Sequence, residues 1–283
     1  MKLTAYWELT KPRLTFMALV TAMTAFYLAW PKAAIDWILL MRTMMGTALV
    51  GGGANAFNQY LERTEDSKMA RTQHRPLVSG ALNPLHALAF SGSLSVAGVL
   101  YLFLKVGGLA AIMGFLVLVS YLLIYTPLKK KTTLNTYAGA VSGALPVFLG
   151  WSAALNSLNW SAVSFFAILF MWQLPHFFAI SWVYREDYRR GGFCMLAAVD
   201  PSGKKVCAHL CMTAVLLFLT SFTPTLTGLA GSLYFSAAVI SGLFFLAFAL
   251  YTGTHKMQYA KELGAASIIY LCTLNIFLIF DKI

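Results

Sequence analysis

Charge is what this chain has least of. Asp, Glu, Lys and Arg make up 11% of its 283 residues, where a soluble domain carries about a quarter. That shortage excludes an ordinary water-soluble globule. Acidic residues are the scarcer sign, ten against 21 Lys and Arg. The four cysteines (Cys194, Cys207, Cys211, Cys272) form no CxxC pair and no CxxCH, which excludes a thioredoxin-like motif and c-type haem attachment. Cys207 and Cys211 share a helix face without ligating neighbours and read as small apolar residues. A cleavable leader is not expected: MKLTAYWELTKPR stays polar too long, and no small-residue cleavage site follows the apolar run at 14–30.

What is abundant is apolar sequence, 59% of the chain. A bilayer-crossing helix needs about 20 apolar residues. Nine such spans are expected, near 14–30, 38–57, 87–104, 108–125, 136–155, 161–183, 206–224, 229–251 and 264–280. The fold class is therefore an all-α, polytopic integral membrane protein. Only Lys105 to Gly108 separate the third and fourth spans, which predicts a tight antiparallel hairpin. The net charge of +11 invites a nucleic-acid reading, but basic loops also set membrane topology. With nine spans, 17 of the 21 Lys and Arg fall on one side, leaving Lys32, Arg42, Lys105 and Lys282 on the other. This predicts a cytoplasmic N-terminus and an outside C-terminus.

The acids cluster after the second and sixth spans. If the second span continues as a helix through NQYLERTEDSKMARTQHRP (58–76), then Asn58, Glu62 and Asp66 lie at i, i+4 and i+8, with Glu65 on the same face. Carboxylates one turn apart repel, so something must compensate. A hard cation such as Mg²⁺ takes oxygen ligands and is commonly held by one or two carboxylates plus substrate phosphates. Arg71, Arg75 and the Lys129–Lys131 run, on the same side, suit a diphosphate. A solvated loop with local ion pairs explains the spacing equally well.

The later cluster, YREDYRRGG (184–192), offers Glu186 and Asp187 among arginines, and WQLPHF (172–177) precedes it. On one continuous helix His176 and Asp187 share a face, His176 well inside the membrane. An intramembrane ionisable residue is a functional candidate; the alternative is a neutral histidine bonded between helices. His74, in the first polar loop, could touch phosphate or a porphyrin carboxylate; His86 and His255 read as loop or helix-end residues, and His209 lies near a helix start with no partner in view. Tyr125 closes the fourth span, Pro127 is expected to force a turn, and small residues from Ala138 to Ala144 line the fifth span.

Asn58, Glu62, Asp66, Met69, Arg71, Thr72, Arg75 and Pro76 form an N-x3-[DE]-x3-D motif followed by M-x-R-T-x-x-R-P. With YTPLKKKTTLNT (125–136), GALPVFLGW (143–151) and WQLPHFFAISWVYREDYRRGGFCML (172–196), the chain resembles the haem-modifying branch of the UbiA superfamily of intramembrane prenyltransferases. The likeness runs through nearly the whole chain and implies a single domain, 1–283, with nine helices around a central cavity. It implies transfer of a farnesyl group from farnesyl diphosphate to a vinyl group of protohaem, with water added, giving haem O for haem–copper oxidases. By position it implies that Asn58, Glu62 and Asp66 bind Mg²⁺–diphosphate, that Arg71, Arg75 and Lys129 neutralise it, and that Asp187 serves the second motif. Tyr125, His176 and Glu186 are expected to contact substrate, and Tyr125, Trp151, Trp172 and Phe177 to line the cavity. Two departures stand out. Glu62 replaces the usual first aspartate, and Tyr184 and Tyr188 replace aspartates of the wider superfamily, which leaves a second metal in doubt. The partners implied are the two substrates, lipid, and a haem A synthase or terminal oxidase. The location expected is a bacterial inner membrane, with the site on its cytoplasmic side. A prenyltransferase acting on a quinone precursor, and a transporter with kinked helices, are the alternatives.

Overall fold

The computed structural model describes residues 2–31 and 34–283, and these are helical throughout apart from loops and one isolated bridge between Ala230 and Lys282. In chain order the helices are α1 (Lys2–Leu9), α2 (Pro12–Ala29), α3 (Trp37–Leu61), α4 (Arg63–Asp66), α5 (Pro84–Lys105) and α6 (Gly108–Leu118). A π-helical stretch, Val119–Tyr125, leads into α7 (Thr126–Leu128). Then come α8 (Asn135–Leu155), α9 (Trp160–Val183), α10 (Arg185–Arg190), α11 (Leu196–Val199), α12 (Lys204–Thr220), α13 (Thr223–Leu226), α14 (Ser232–Thr254) and α15 (Ala260–Phe280). Local chemistry sets several starts. Asp36 accepts from the Leu39 amide at 2.9 Å, Asn83 from Leu85 at 2.9 Å just ahead of Pro84, and Asn159 from Ala162 at 3.0 Å.

Among the described residues eight helices are long and apolar enough to cross a membrane, not nine. The exception is the second expected span. It forms a 25-residue helix, α3, but carries Arg42, Gly51 to Gly53, Asn55, Asn58 and Gln59, and its inner half faces protein rather than lipid. The amide nitrogens of Asn55, Asn58 and Gln59 all donate inside the fold, as a dry environment requires, while Gln59 Oε1 has no partner among the described residues. Asn55 donates to Thr15 Oγ1 at 3.1 Å, and Gln59 to the Glu8 and Leu9 carbonyls at 3.1 and 3.0 Å.

Two groups of helices pack together. In the first, α3 lies along α5, and both meet α2 or α6. A Cβ on Gly98 would stand 2.8 Å from the Val50 amide nitrogen, so the α3–α5 approach depends on the missing side chain. In the second, α9 meets α8, α12 and α15, and α14 bridges α12 and α15. The groups join where α2 crosses α8: a Cβ on Gly150 would sit 2.0 Å from the Ala22 carbonyl oxygen. α15 also reaches α2, and Lys282 donates to the Tyr27 carbonyl at 2.8 Å and to that of Trp30. Large apolar side chains such as Phe103, Leu104, Phe244 and Ile269 point outward, as lipid-facing positions do.

The expected hairpin between α5 and α6 is present. Pro127 does not force the turn expected of it. The backbone stays helical through Leu128, and the π-helical stretch just before it gives the widened turn in which a missing N–H is tolerated.

Candidate active site

The first acidic motif sits where α3 gives way to α4. The helix does not run unbroken through it: α3 ends at Leu61, and Glu62 takes φ −101, ψ 8. Yet the Glu62 amide still bonds the Asn58 carbonyl at 3.0 Å and the Asp66 amide that of Glu62 at 2.8 Å, so the three side chains keep their four-residue register. All three are buried, Asn58 and Asp66 to 1% exposure and Glu62 to 4%.

Cations answer this acidity. Lys129 Nζ meets Glu62 Oε1 at 2.6 Å, Lys130 meets Glu65 Oε1 at 2.6 Å, and Arg75 meets Asp66 Oδ2 at 2.5 Å. Lys11, from the turn between α1 and α2, donates to Asn58 Oδ1 at 2.7 Å. Asn58 in turn donates to Thr126 Oγ1 at 3.1 Å, and that hydroxyl bonds the Tyr121 carbonyl of the π-helical stretch at 2.8 Å. Lys129 also lies over the rings of Tyr125, at 4.5 Å, and Phe193, at 5.6 Å.

Burial alone would disfavour every charge here, and the neighbours decide which survive. Glu62 is held below the usual carboxylate range: burial opposes its charge, but Lys129 and Lys11 outweigh it. Lys129 is raised above an ordinary lysine, burial being overcome by Tyr125 and Glu62. Asp66 is raised, because burial and Glu62 outweigh Arg75. Lys11 is pushed down to about 7 by burial and then by Arg75.

Two buried carboxylate oxygens, Asp66 Oδ1 and Glu65 Oε2, have no hydrogen-bond partner among the described residues. Such atoms are costly unless a donor or cation meets them. No three His, Cys, Asp or Glu side chains converge as a ready metal group among the described residues. The donors that fit Mg²⁺ are therefore the acids together with Asn58, whose amide oxygen now serves Lys11.

The second motif docks beside the first. α9 ends at Val183, and Tyr184 breaks the helix at φ −103, ψ 21 before α10. Amide bonds continue across it, Tyr184 to the Ile180 carbonyl and Tyr188 to that of Tyr184, both at 3.1 Å, but the structure does not bring His176 and Asp187 to a common partner: His176 meets Ser267 of α15 and Asp187 the Ala70 amide. Asp187, buried, accepts from the Ala70 amide at 3.3 Å and pairs with Arg190. Burial opposes its charge, but the Arg190 and backbone donors hold its pKa below the usual range. Met69 packs with Phe193 and Met195 beneath this contact. Arg71 lies over the rings of Tyr184, at 5.0 Å, and Tyr188, at 5.7 Å, so those two tyrosines, in place of aspartates, seat a guanidinium. Arg71 pairs with no carboxylate among the described residues. Glu186 is exposed and pairs with Arg189, lining a small polar pocket of about 240 Å³ with Arg185 and Pro201.

His176 turns to α15, where its Nδ1 lies 2.7 Å from Ser267 Oγ. Trp172 stacks on it and donates Nε1–H to the Ser267 carbonyl at 2.6 Å. Trp151, expected to line a cavity, is instead enclosed in the core of the second helix group. The small residues of α8 serve side chains: Gly139 admits the Tyr125 ring and Gly143 the Gln173 amide. Arg42, the transporter reading's midplane charge, is exposed near the start of α3. Sequence spacing missed Lys11, Thr126 and Phe193. Lys11 counted only as a topology charge, and its signal was the adjoining Pro12, which breaks the chain into a corner (Lys11 has φ 47).

Helices of these lengths, with buried acid–cation pairs between them, define a polytopic membrane protein with a charged cluster in its fold. A family model described as the UbiA prenyltransferase family matches residues 18–263, and the chain belongs to that family. Membership replaces the transporter alternative. The chain is 38% identical to the protoheme IX farnesyltransferase of Solibacter usitatus (strain Ellin6076), over 98% of each chain. Its fold matches a structure reported for digeranylgeranylglyceryl phosphate synthase, at 18% identity and a TM-score of 0.82, covering 99% of this chain and 98% of that one. A UbiA homologue from Archaeoglobus fulgidus, solved with GPP and Mg²⁺, matches at 12% identity and a TM-score of 0.68, covering 98% and 99%.

Proposed function

We propose that this chain transfers the farnesyl group of farnesyl diphosphate to a vinyl group of protohaem IX, with addition of water, giving haem O and diphosphate. The observation that carries this reading is the near-full-length likeness to a protein named for farnesyl transfer to protohaem IX. The acid–cation cluster supports it. Loss of diphosphate from an allylic carbon needs its negative charge neutralised. Lys129, Arg75 and Lys11 surround the motif, and Arg71 has no carboxylate partner among the described residues. Asn58, Glu62 and Asp66 would hold Mg²⁺, whose chemistry there is to neutralise charge on the leaving diphosphate. The second motif serves by position: Asp187 holds the 69–71 turn, and with it Arg71, beside the acids. Tyr125, Phe193 and Tyr188 keep water from the nascent allylic cation.

In this reading α3 is the ninth span, the N-terminus and the acidic motifs face the cytoplasm, and the substrates meet in a cavity within the bundle, in a bacterial inner membrane. The product then passes to a haem A synthase or a terminal oxidase. The test is to incubate purified protein with haem b, farnesyl diphosphate and Mg²⁺ and measure haem O by mass. A folded protein that prenylates a hydroxybenzoate and leaves haem unchanged would replace this reading with the quinone-precursor one.

A further inference from the structure

His176 is held in a way that decides which nitrogen carries its proton. The Ser267 hydroxyl donates its hydrogen to the Gly264 carbonyl at 2.7 Å, so toward His176 it can only accept. The 2.7 Å contact is therefore Nδ1–H donating to Ser267 Oγ. Trp172 fixes the ring from one side, its plane 19° from that of the imidazole with centroids 5.1 Å apart, and anchors itself on the same serine's carbonyl. Nε2 keeps its lone pair, makes no side-chain hydrogen bond among the described residues, and is not sealed in the packing, since the His176 ring is only partly buried. A histidine kept only for packing between helices would be expected to bond through both nitrogens, because a polar atom left bare in an apolar span is costly. A neutral imidazole with Nδ1–H bonded to an oxygen and Nε2 free is the arrangement of a metal-ligating histidine.

Among the substrates of the proposed function, one brings a metal with it. We propose that His176 Nε2 ligates the iron of the haem substrate, and that Ser267 is the positioning residue that fixes the ring and its tautomer. This rests on the farnesyl-transfer reading given above. Iron ligation on α9 would set the depth and rotation of the porphyrin, and so determine which vinyl group meets the prenyl diphosphate. The interaction is coordination only; no bond of the porphyrin is made or broken by it.

The experiment uses the purified full chain, loaded with haem b, and follows the Soret band and the iron–imidazole stretch of the ferrous form by resonance Raman. Wild type is expected to show the stretch. His176→Ala and the better-tolerated His176→Gln are expected to lose it, and added imidazole to restore it in His176→Ala. Ser267→Ala is expected to shift the stretch and weaken haem binding roughly tenfold, as outer partners of metal ligands do, while Ser267→Thr, which keeps the hydroxyl, stays near wild type. An unchanged stretch and Soret band in both His176 variants would overturn the ligation. If wild type itself neither binds haem b nor forms haem O, the farnesyl-transfer reading falls. If it does both and the variants leave the spectrum untouched, only the present inference falls.

Discussion

Lys11 and Asn58 stand 47 positions apart, and the ammonium of one donates to the amide oxygen of the other at 2.7 Å. This contact places the α1–α2 corner inside the acidic motif. Lys11→Met is expected to lower kcat/KM for farnesyl diphosphate by about tenfold or more, the order lost when a charge-assisted hydrogen bond of roughly 1.5–3 kcal/mol disappears. Steady-state kinetics in detergent check it. An unchanged kcat/KM would reduce Lys11 to a structural contact.

Asp66 has one oxygen on Arg75 and the other without a partner among the described residues. Asp66→Asn is expected to cut turnover about 100-fold or more, in line with loss of one preorganised electrostatic group, while the variant still inserts into the membrane. Chelation should likewise stop wild-type turnover and Mg²⁺ restore it. Full activity in the presence of a chelator would remove the metal from this site.

At Gly150 a Cβ would meet the backbone carbonyl of Ala22 at 2.0 Å, and backbone cannot rotate away. Gly150→Ala is expected to cost about 1–3 kcal/mol or more through overpacking, read as a lower Tm in detergent. A Cβ on Gly139 would first meet a side chain, the Tyr125 ring, at 2.7 Å. Gly139→Ala should reduce activity more than stability, because the displaced ring lies under Lys129. Equal Tm values for Gly150→Ala and wild type would mean that the helices separate freely there.

Asp200 accepts from the Lys205 amide at 2.8 Å and from Ser202 Oγ at 2.7 Å, at the start of α12. Burial opposes its charge, but these donors hold its pKa below the usual value. Its stabilisation is thus fully present above the ordinary carboxylate pKa of about 3.9 and is lost as pH falls through the depressed folded value. Asp200→Ala should lower stability by about 1 kcal/mol at pH 7, as loss of a helix-start acceptor does. The gap should close in more acidic buffer. Thermal melts of both proteins from pH 7 downward test this; a constant gap would assign the effect to packing.

The spans were legible because an apolar run of bilayer length has one economical structure, and eight of the nine expected meet the criterion of length and hydropathy. The ninth reads poorly for a physical reason. Asn55, Asn58 and Gln59 weaken its hydropathy, and only the fold supplies the partners that make them tolerable. The register of Asn58, Glu62 and Asp66 was legible because it is local. The cations that meet it were only partly so. Arg75 lies nine residues from Asp66 and Lys129 lies 67 from Glu62, and both had been grouped with the motif by side of the membrane. Lys11 had not. The helix break at Tyr184 was not legible, since no Gly or Pro announces it, and neither was the fact that His176 and Asp187 serve different neighbours, Ser267 and the Ala70 amide.

The Cys194 amide bonds the Lys129 carbonyl at 2.6 Å, and Asn135 holds the Cys194 carbonyl at 2.9 Å. The loop behind α10 and the loop that carries Lys129 are in this way stitched edge to edge, with Phe193 pressed beneath the lysine. A displacement of either loop is therefore passed to the other, and through Lys129 to its partner Glu62. The segment behind the second acidic motif and the counter-charge of the first are in this way mechanically joined.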